Sequence, residues 1–200
     1  MTAGYHTLTF VGLDSAGGDN TAFIDGVTLA VAPTTPTLGD SSFEAPALGT
    51  GGYQYAPAGT PWTFTGNAGI TANRSAFTGG NPDAPDGAQV GFLQTTGTIT
   101  QTVTFATAGS FVVSFLAAQR GNNGGSTQDF QVLIDGQAVG TFQPTGTAYK
   151  AYATGSFTVA ANSQHTITFV GLNSAGGDNT AFIDQVQFVA ASSTLPIMQS

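Results

Sequence analysis

Cysteine is missing from all 200 residues, so neither a disulfide framework nor a thiolate metal site is available. Charge is scarce as well. Charged residues make up 7% of the chain, against roughly 25% in an ordinary globular domain, so Thr, Ser, Asn, Gln and Gly must keep the surface wet. Little of that charge is positive: Arg74, Arg120 and Lys150 face eleven acids, for a net charge of −8. Nucleic acid and anionic membrane surfaces are bound through clustered Lys and Arg, so neither is expected as a partner. The same balance suits divalent cations and neutral polar ligands. No apolar run approaches the ~18 residues of a membrane helix, and no segment shows helical periodicity with caps. The first six residues have neither the basic nor the apolar region of a secretory leader.

What the chain does have is a repeat. His6 to Val27 recurs as His165 to Val186, and only Leu8/Ile167, Asp14/Asn173 and Gly26/Gln185 differ across the 22 positions. In the second copy Ile167 and Phe169 alternate with Thr166, Thr168 and Val170, the period of a strand. Ser174-Ala-Gly-Gly-Asp-Asn179 follows as a turn, and Thr180 to Val189 returns as a second strand. Each copy therefore reads as a β-hairpin. Residues 1–31 are the final hairpin of a preceding repeat, 32–39 (with Pro33 and Pro36) a short semi-rigid linker, 40–190 a complete module and 191–200 a tail. On this reading the chain is a piece of a longer protein.

Within the module the strand signals are short and regular. They fall at Ala88–Gln94, Thr98–Phe105, Ser110–Ala118, Asp129–Ile134, Gln137–Phe142 and Tyr149–Val159, and Asp135-Gly136 is a two-residue hairpin turn. Asn73 to Asp86 and Arg120 to Ser126 read as surface loops. The fold class is all-β: an antiparallel β-sandwich, a jelly roll of about eight strands or slightly more, with an extra N-terminal hairpin.

Phe43-Glu44 placed on a first strand, Trp62, Ile99 to Val103, Phe111 to Phe115 and Phe182-Ile-Asp184-Gln-Val186 on the last strand make a recognisable frame. Over Asp40 to Ala190 it resembles the galactose-binding-like jelly rolls of bacterial secreted and surface proteins, which include many carbohydrate-binding modules. The resemblance implies an extracellular or cell-surface setting and a glycan or polysaccharide ligand. It also implies a structural calcium held by Glu44, Asp184 and backbone carbonyls. Calcium takes six to eight oxygens, which carboxylates and Gly-rich loops supply. A second reading stays open, in which both acids accept hydrogen bonds from backbone amides.

Sugar C–H faces stack on aromatic rings. Tyr53 and Tyr55 share a face if their segment is extended and are the ligand-binding candidates, together with Arg120, whose guanidinium can grip paired hydroxyls or form a salt bridge. Trp62, after Pro61, is expected to pack over the sandwich. His6 and His165 stand at strand starts, and no nucleophile elbow or metal-spaced His pair is visible, so an enzyme is not expected. The first functional reading is a non-catalytic glycan-binding module. The second is an assembly protein in which Phe10, Phe23 and Ile24 are exchanged between repeats to give a homo-oligomer, filament or tether.

Overall fold

The computed structural model describes residues 5–27, 33–122 and 127–191. The outer ends of the first repeat copy (1–4 and 28–31), residue 32 of the linker, residues 123–126 of the second loop and the tail from 192 lie outside these ranges. By its contacts the chain divides into two units, 1–31 and 32–200.

The second unit is a sandwich of two antiparallel sheets, with no helix among the described residues. Its strands are β1 (Tyr53–Tyr55), β2 (Thr63–Thr65), β3 (Ala68–Ala72), β4 (Gln89–Gln94), β5 (Thr98–Phe105) and β6 (Gly109–Gln119), then β7 (Phe130–Ile134), β8 (Gln137–Phe142), β9 (Lys150–Ala153), β10 (Phe157–Val159), β11 (Ser163–Gly171) and β12 (Thr180–Ala190). The seven-stranded sheet runs β1-β3-β4-β12-β6-β10, with β9 also on β6, and the five-stranded sheet runs β2-β5-β11-β7-β8. Twelve strands exceed the expected number because several are only three residues long.

Local sequence accounts for much of this. In β5, Ile99, Val103 and Phe105 point inward and the threonines between them outward, where Thr98, Thr100 and Thr102 meet Thr65, Thr168 and Thr166 across the sheet. The Asp135-Gly136 turn has φ of 51° and 79°, the left-handed pair that a two-residue hairpin requires. Phe105, Phe111, Phe115, Phe130 and Phe169 fill the space between the sheets. Trp62 joins them as expected, stacked on Phe43 at 5.2 Å, with its Nε1 donating to the Asp40 carbonyl at 2.8 Å. Residues 33–39 are not a free linker: Leu38 is in the core, and the Gln101 side chain bonds both N and O of Gly39.

Two expectations are corrected. Phe43-Glu44 lies on no strand. The backbone turns at Asp40, whose carboxylate accepts the N–H groups of Glu44 and Ala45 at 2.7 and 3.1 Å, and Phe43 takes a φ of 60° to drop its ring into the core.

The repeated segment is also not a hairpin. β11 pairs with β5 and β7, β12 with β4 and β6, and neither pairs with the other. Together they form an arch that crosses from one sheet to the other. Phe169 on β11 and Ile183 on β12 both face the core, which two strands achieve from opposite layers about 10 Å apart. The three apolar anchors therefore do not share one face: Phe182 points outward, into a second cluster with Phe77, Val90 and Phe92.

The first unit shows what the arch is without those layers. Residues 5–27 form no strand. Phe10, Phe23 and Ile24 are 56%, 95% and 56% exposed, whereas their counterparts Phe169, Phe182 and Ile183 are fully buried. An arch has no ladder of its own, so its backbone groups wait for neighbours.

Phe115 packs on Phe130, Phe142, Tyr152 and Phe169 with no exposed surface to spare. Phe115→Ala should cost about 3–5 kcal/mol by lost transfer energy and cavity formation. Denaturant unfolding measures this, and a loss below about 1 kcal/mol would show that the ring is not central to the core.

Candidate functional site

The outer face of the seven-stranded sheet carries the sequence-predicted aromatic pair. Tyr53 and Tyr55, two residues apart on edge strand β1, project to the same side and are 50% and 40% exposed. They stand on Phe77, at ring distances of 4.9 and 6.0 Å, and Tyr55 also meets Phe92 edge-on at 5.0 Å. Phe77 comes from the loop between β3 and β4. A buried hydroxyl cluster pins that loop: Thr71 to Ser75 at 2.6 Å, and Thr78 donating to the Ala72 carbonyl at 2.8 Å. The loop folds back over the sheet, so β4 is buried on both faces.

Arg120 joins the same assembly, its guanidinium 4.5 Å above the Phe77 ring. Its side chain is only 9% exposed and lies 3.6 Å from Asp178. Nε donates to Asn122 and Nη2 to the Ala76 carbonyl. With its donors so committed, Arg120 holds the platform and leaves little to clamp a sugar. The Tyr55 hydroxyl donates to Gln94 at 2.7 Å, and Gln94 Nε2 reaches Asp178 at 3.4 Å. Burial, then the Asp178 charge, raises the Tyr55 phenol above its ordinary pKa. Sequence reading named Tyr53, Tyr55 and Arg120; Phe77, Gln94 and Asp178, which the structure places beside them, were not named, because neither spacing nor motif links them to the tyrosines.

Farther along the same face lie the two acids. Asp184 is buried on β12; its Oδ2 accepts the Asp86 N–H at 3.0 Å and its Oδ1 that of Gln185 at 2.7 Å. Glu44 Oε1 accepts the N–H groups of Ala88 and Gln89 at 2.9 and 2.8 Å. Both carboxylates thus grip the segment 86–89, and Gly87 lets Glu44 approach because any Cβ there would collide with its carboxylate. Burial above all, then the charges of Asp86 and Glu44, outweighs the two N–H donors and lifts Asp184 to about 7. The buried Tyr149 hydroxyl has no hydrogen-bond partner, and burial followed by the Asp184 charge pushes its phenol upward. A cleft of about 400 Å³ opens beside Glu44, lined in part by Asn73 and by the exposed pair Arg74–Asp83 at 3.7 Å. Among the described residues no group of three or more His, Asp or Glu side chains is arranged to hold a metal. Both acids bond backbone amides, the alternative that stood beside the calcium reading.

A third arrangement joins residues that no motif connects. His165 Nδ1 lies 2.6 Å from Asp135 and its Nε2 2.9 Å from Ser163 Oγ, the order of a Ser-His-Asp relay. Ser163 Oγ also donates to the Ala160 carbonyl at 2.5 Å. Its single proton is thus shared between two acceptors, the Ala160 carbonyl and the imidazole nitrogen. Thr166 N also donates to Asp135, at 2.8 Å. Burial presses the Asp135 carboxyl upward, but the Thr166 and His165 bonds prevail and hold it below its ordinary value. The cluster clamps the hairpin turn.

No protein-family model and no curated protein matches the chain. Solved structures do. The Stig cyclase FisC from Fischerella sp. TAU, in complex with an indole derivative, is 17% identical with a TM-score of 0.57, over 80% of this chain and 100% of the cyclase. TmCBM61, in complex with β-1,4-galactotriose, is 15% identical with a TM-score of 0.55, over 79% of this chain and 100% of the module. At these identities the likeness is one of fold. The fold is a galactose-binding-like β-sandwich, as the sequence frame implied, and it hosts both binding modules and enzymes.

Asp184 makes stability depend on pH in a definite direction. Its ordinary value is 3.8 and its folded value about 7. Between these the folded chain binds the extra proton, so stability falls as pH rises through the window. The cost is absent below about 4 and complete above about 7, and amounts to a few kcal/mol. In chelator, the melting temperature should fall from pH 5 to pH 8, and Asp184→Asn should flatten that slope. An unchanged slope in the variant would assign the dependence to another group.

Proposed function

We propose that this sandwich is a non-catalytic glycan-binding module acting outside the cell, with Tyr53 and Tyr55 as its stacking platform. The single observation that carries this reading is the exposed tyrosine pair seated on Phe77, Phe92 and Arg120. Aromatic side chains left half in solvent yet locked from below supply apolar area at little entropic cost. A fold shared with a module crystallised with a galactotriose supports the ligand class. Titration against soluble polysaccharides tests it. Tyr53→Ala and Tyr55→Ala should each weaken binding at least tenfold, about 1.4 kcal/mol, while Arg74→Ala in the cleft should leave it unchanged. Binding lost only with Arg74→Ala would place the ligand in the cleft, and no binding to any glycan would remove the reading.

We further propose a calcium ion as charge neutraliser beside Asp184 and Glu44. The support is a buried carboxylate whose pKa is raised by burial and by the charges of two neighbouring acids, a balance that a bound cation would relieve. Bound by the native state alone, calcium would stabilise by mass action. At pH 8 millimolar calcium should raise the melting temperature by several degrees relative to chelator, and Glu44→Gln should remove most of the gain. Identical melting in calcium and chelator would exclude the ion.

A further inference from the structure

The chain holds two closing arches and one slot for them. The slot lies between β5 and β7 in one sheet and between β4 and β6 in the other; β11 and β12, residues 163–190, fill it, and 165–186 are the repeated part of that segment. We infer that residues 6–27 are a second, interchangeable arch that can replace 165–186 in the slot of their own chain.

The first copy already has the turn conformation of the second. Asp14 Oδ1 accepts the Ala16 N–H at 2.9 Å, as Asn173 Oδ1 accepts that of Ala175 at 2.9 Å. Asn20 donates to the Asp14 carbonyl as Asn179 does to that of Asn173. Gly17 and Gly18 are left-handed, like Gly176 and Gly177. Asp25 Oδ1 takes the next N–H at 2.7 Å, as Asp184 does. What the first copy lacks is the pairing and the apolar walls that the slot supplies.

Within the repeated stretch the three substitutions nearly balance; beyond it Leu29 stands in sequence where β12 has the core residue Phe188. Leu8 for Ile167 conserves volume at a buried site. Asp14 for Asn173 gives up the amide bond to the Thr127 carbonyl. Gly26 for Gln185 is a gain, because Gln185 has a φ of 50°, where glycine is free of strain.

The connection also permits the exchange. The resident arch leaves the sheet where the Ala191 N–H meets the Ser110 carbonyl at 2.8 Å. Pro33 lies against the adjacent Gly109, so closely that a Cβ on that glycine would strike its ring at 2.6 Å, and Thr34 N is held by Thr107 Oγ1 at 3.0 Å. At the repeat offset the counterpart of Ala191 is Ala32, the residue before Pro33. An arch formed by the first copy would thus end one residue from where the body's chain begins. Exchange between different chains covers nothing more, since any number of chains has one slot and two arches apiece.

A poisoned resident arch tests this in the full chain. Ile183→Asp puts a charge into the core. With the first copy intact, the variant should still melt cooperatively and as a monomer by light scattering. Ile24→Asp with Ile183→Asp should abolish the transition, while Ile24→Asp alone should leave the melting temperature unchanged. As a second readout, Ala22→Cys in the Ile183→Asp background supplies the only thiol. Its counterpart Ala181 is fully buried, so the thiol should react at least tenfold more slowly than in urea. The inference is overturned if Ile183→Asp alone has no transition, if the double variant melts as well as the single one, if the Ala22→Cys thiol reacts at the unfolded rate, or if rescue comes with doubled mass.

Discussion

Both sheets depend on the insertion of one arch. β11 and β12 are central strands, each flanked on both sides, so a single continuous segment supplies ladder partners to β4, β5, β6 and β7. Its inward side chains, Ile167, Phe169, Ile183 and Val186, reach the core from opposite walls. Contacts of this kind bring together residues far apart in the chain, so the entropy of closing long loops precedes the gain from burial. The arch is the step that returns that cost, which is why these four inward residues are among the least exposed in the molecule.

The same strand organises the outer face. The bulge between Asp184 and Gln187 lets β12 turn Phe182 and Asp184 outward while Val186 and Phe188 stay inside. Phe182 supports the cluster under the tyrosines, and Asp184 anchors the loop that brings Phe77 back across the sheet. The platform and the buried acid are therefore coupled through one loop. An acid in that position is costly, and the two N–H donors only partly offset its burial. Arg120, caught between Phe77 and Asp178, balances charge at the other end of the face.

Much of the fold was legible because its information is local. Alternation in Thr98–Phe105 and the Asp135-Gly136 turn set strand, face and register without distant help. Tyr53 and Tyr55 were legible as a pair for the same reason. Phe77 was not: its place beneath them depends on the Ser75–Thr78 hydroxyl cluster and on Asp184, about a hundred residues away, holding the loop down. The reading of two apolar runs around a Gly-rich turn as a hairpin failed because periodicity fixes which side chains share a face of a strand. It carries no information on whether the next strand lies beside the first or across the core from it.

The repeat separates the two contributions within one molecule. Residues 6–27 and 165–186 share nearly every side chain, and they share the Asp14/Asn173 turn, the left-handed glycines and the Asp25/Asp184 bond to the following N–H. Those features span only a few residues, so the sequence alone determined them. Strand conformation belongs to one copy only. It needs hydrogen-bond partners and an apolar wall on each side, and those come from β4 to β7. Only the tertiary structure provides them, and so only the tertiary structure decided which copy became β-sheet.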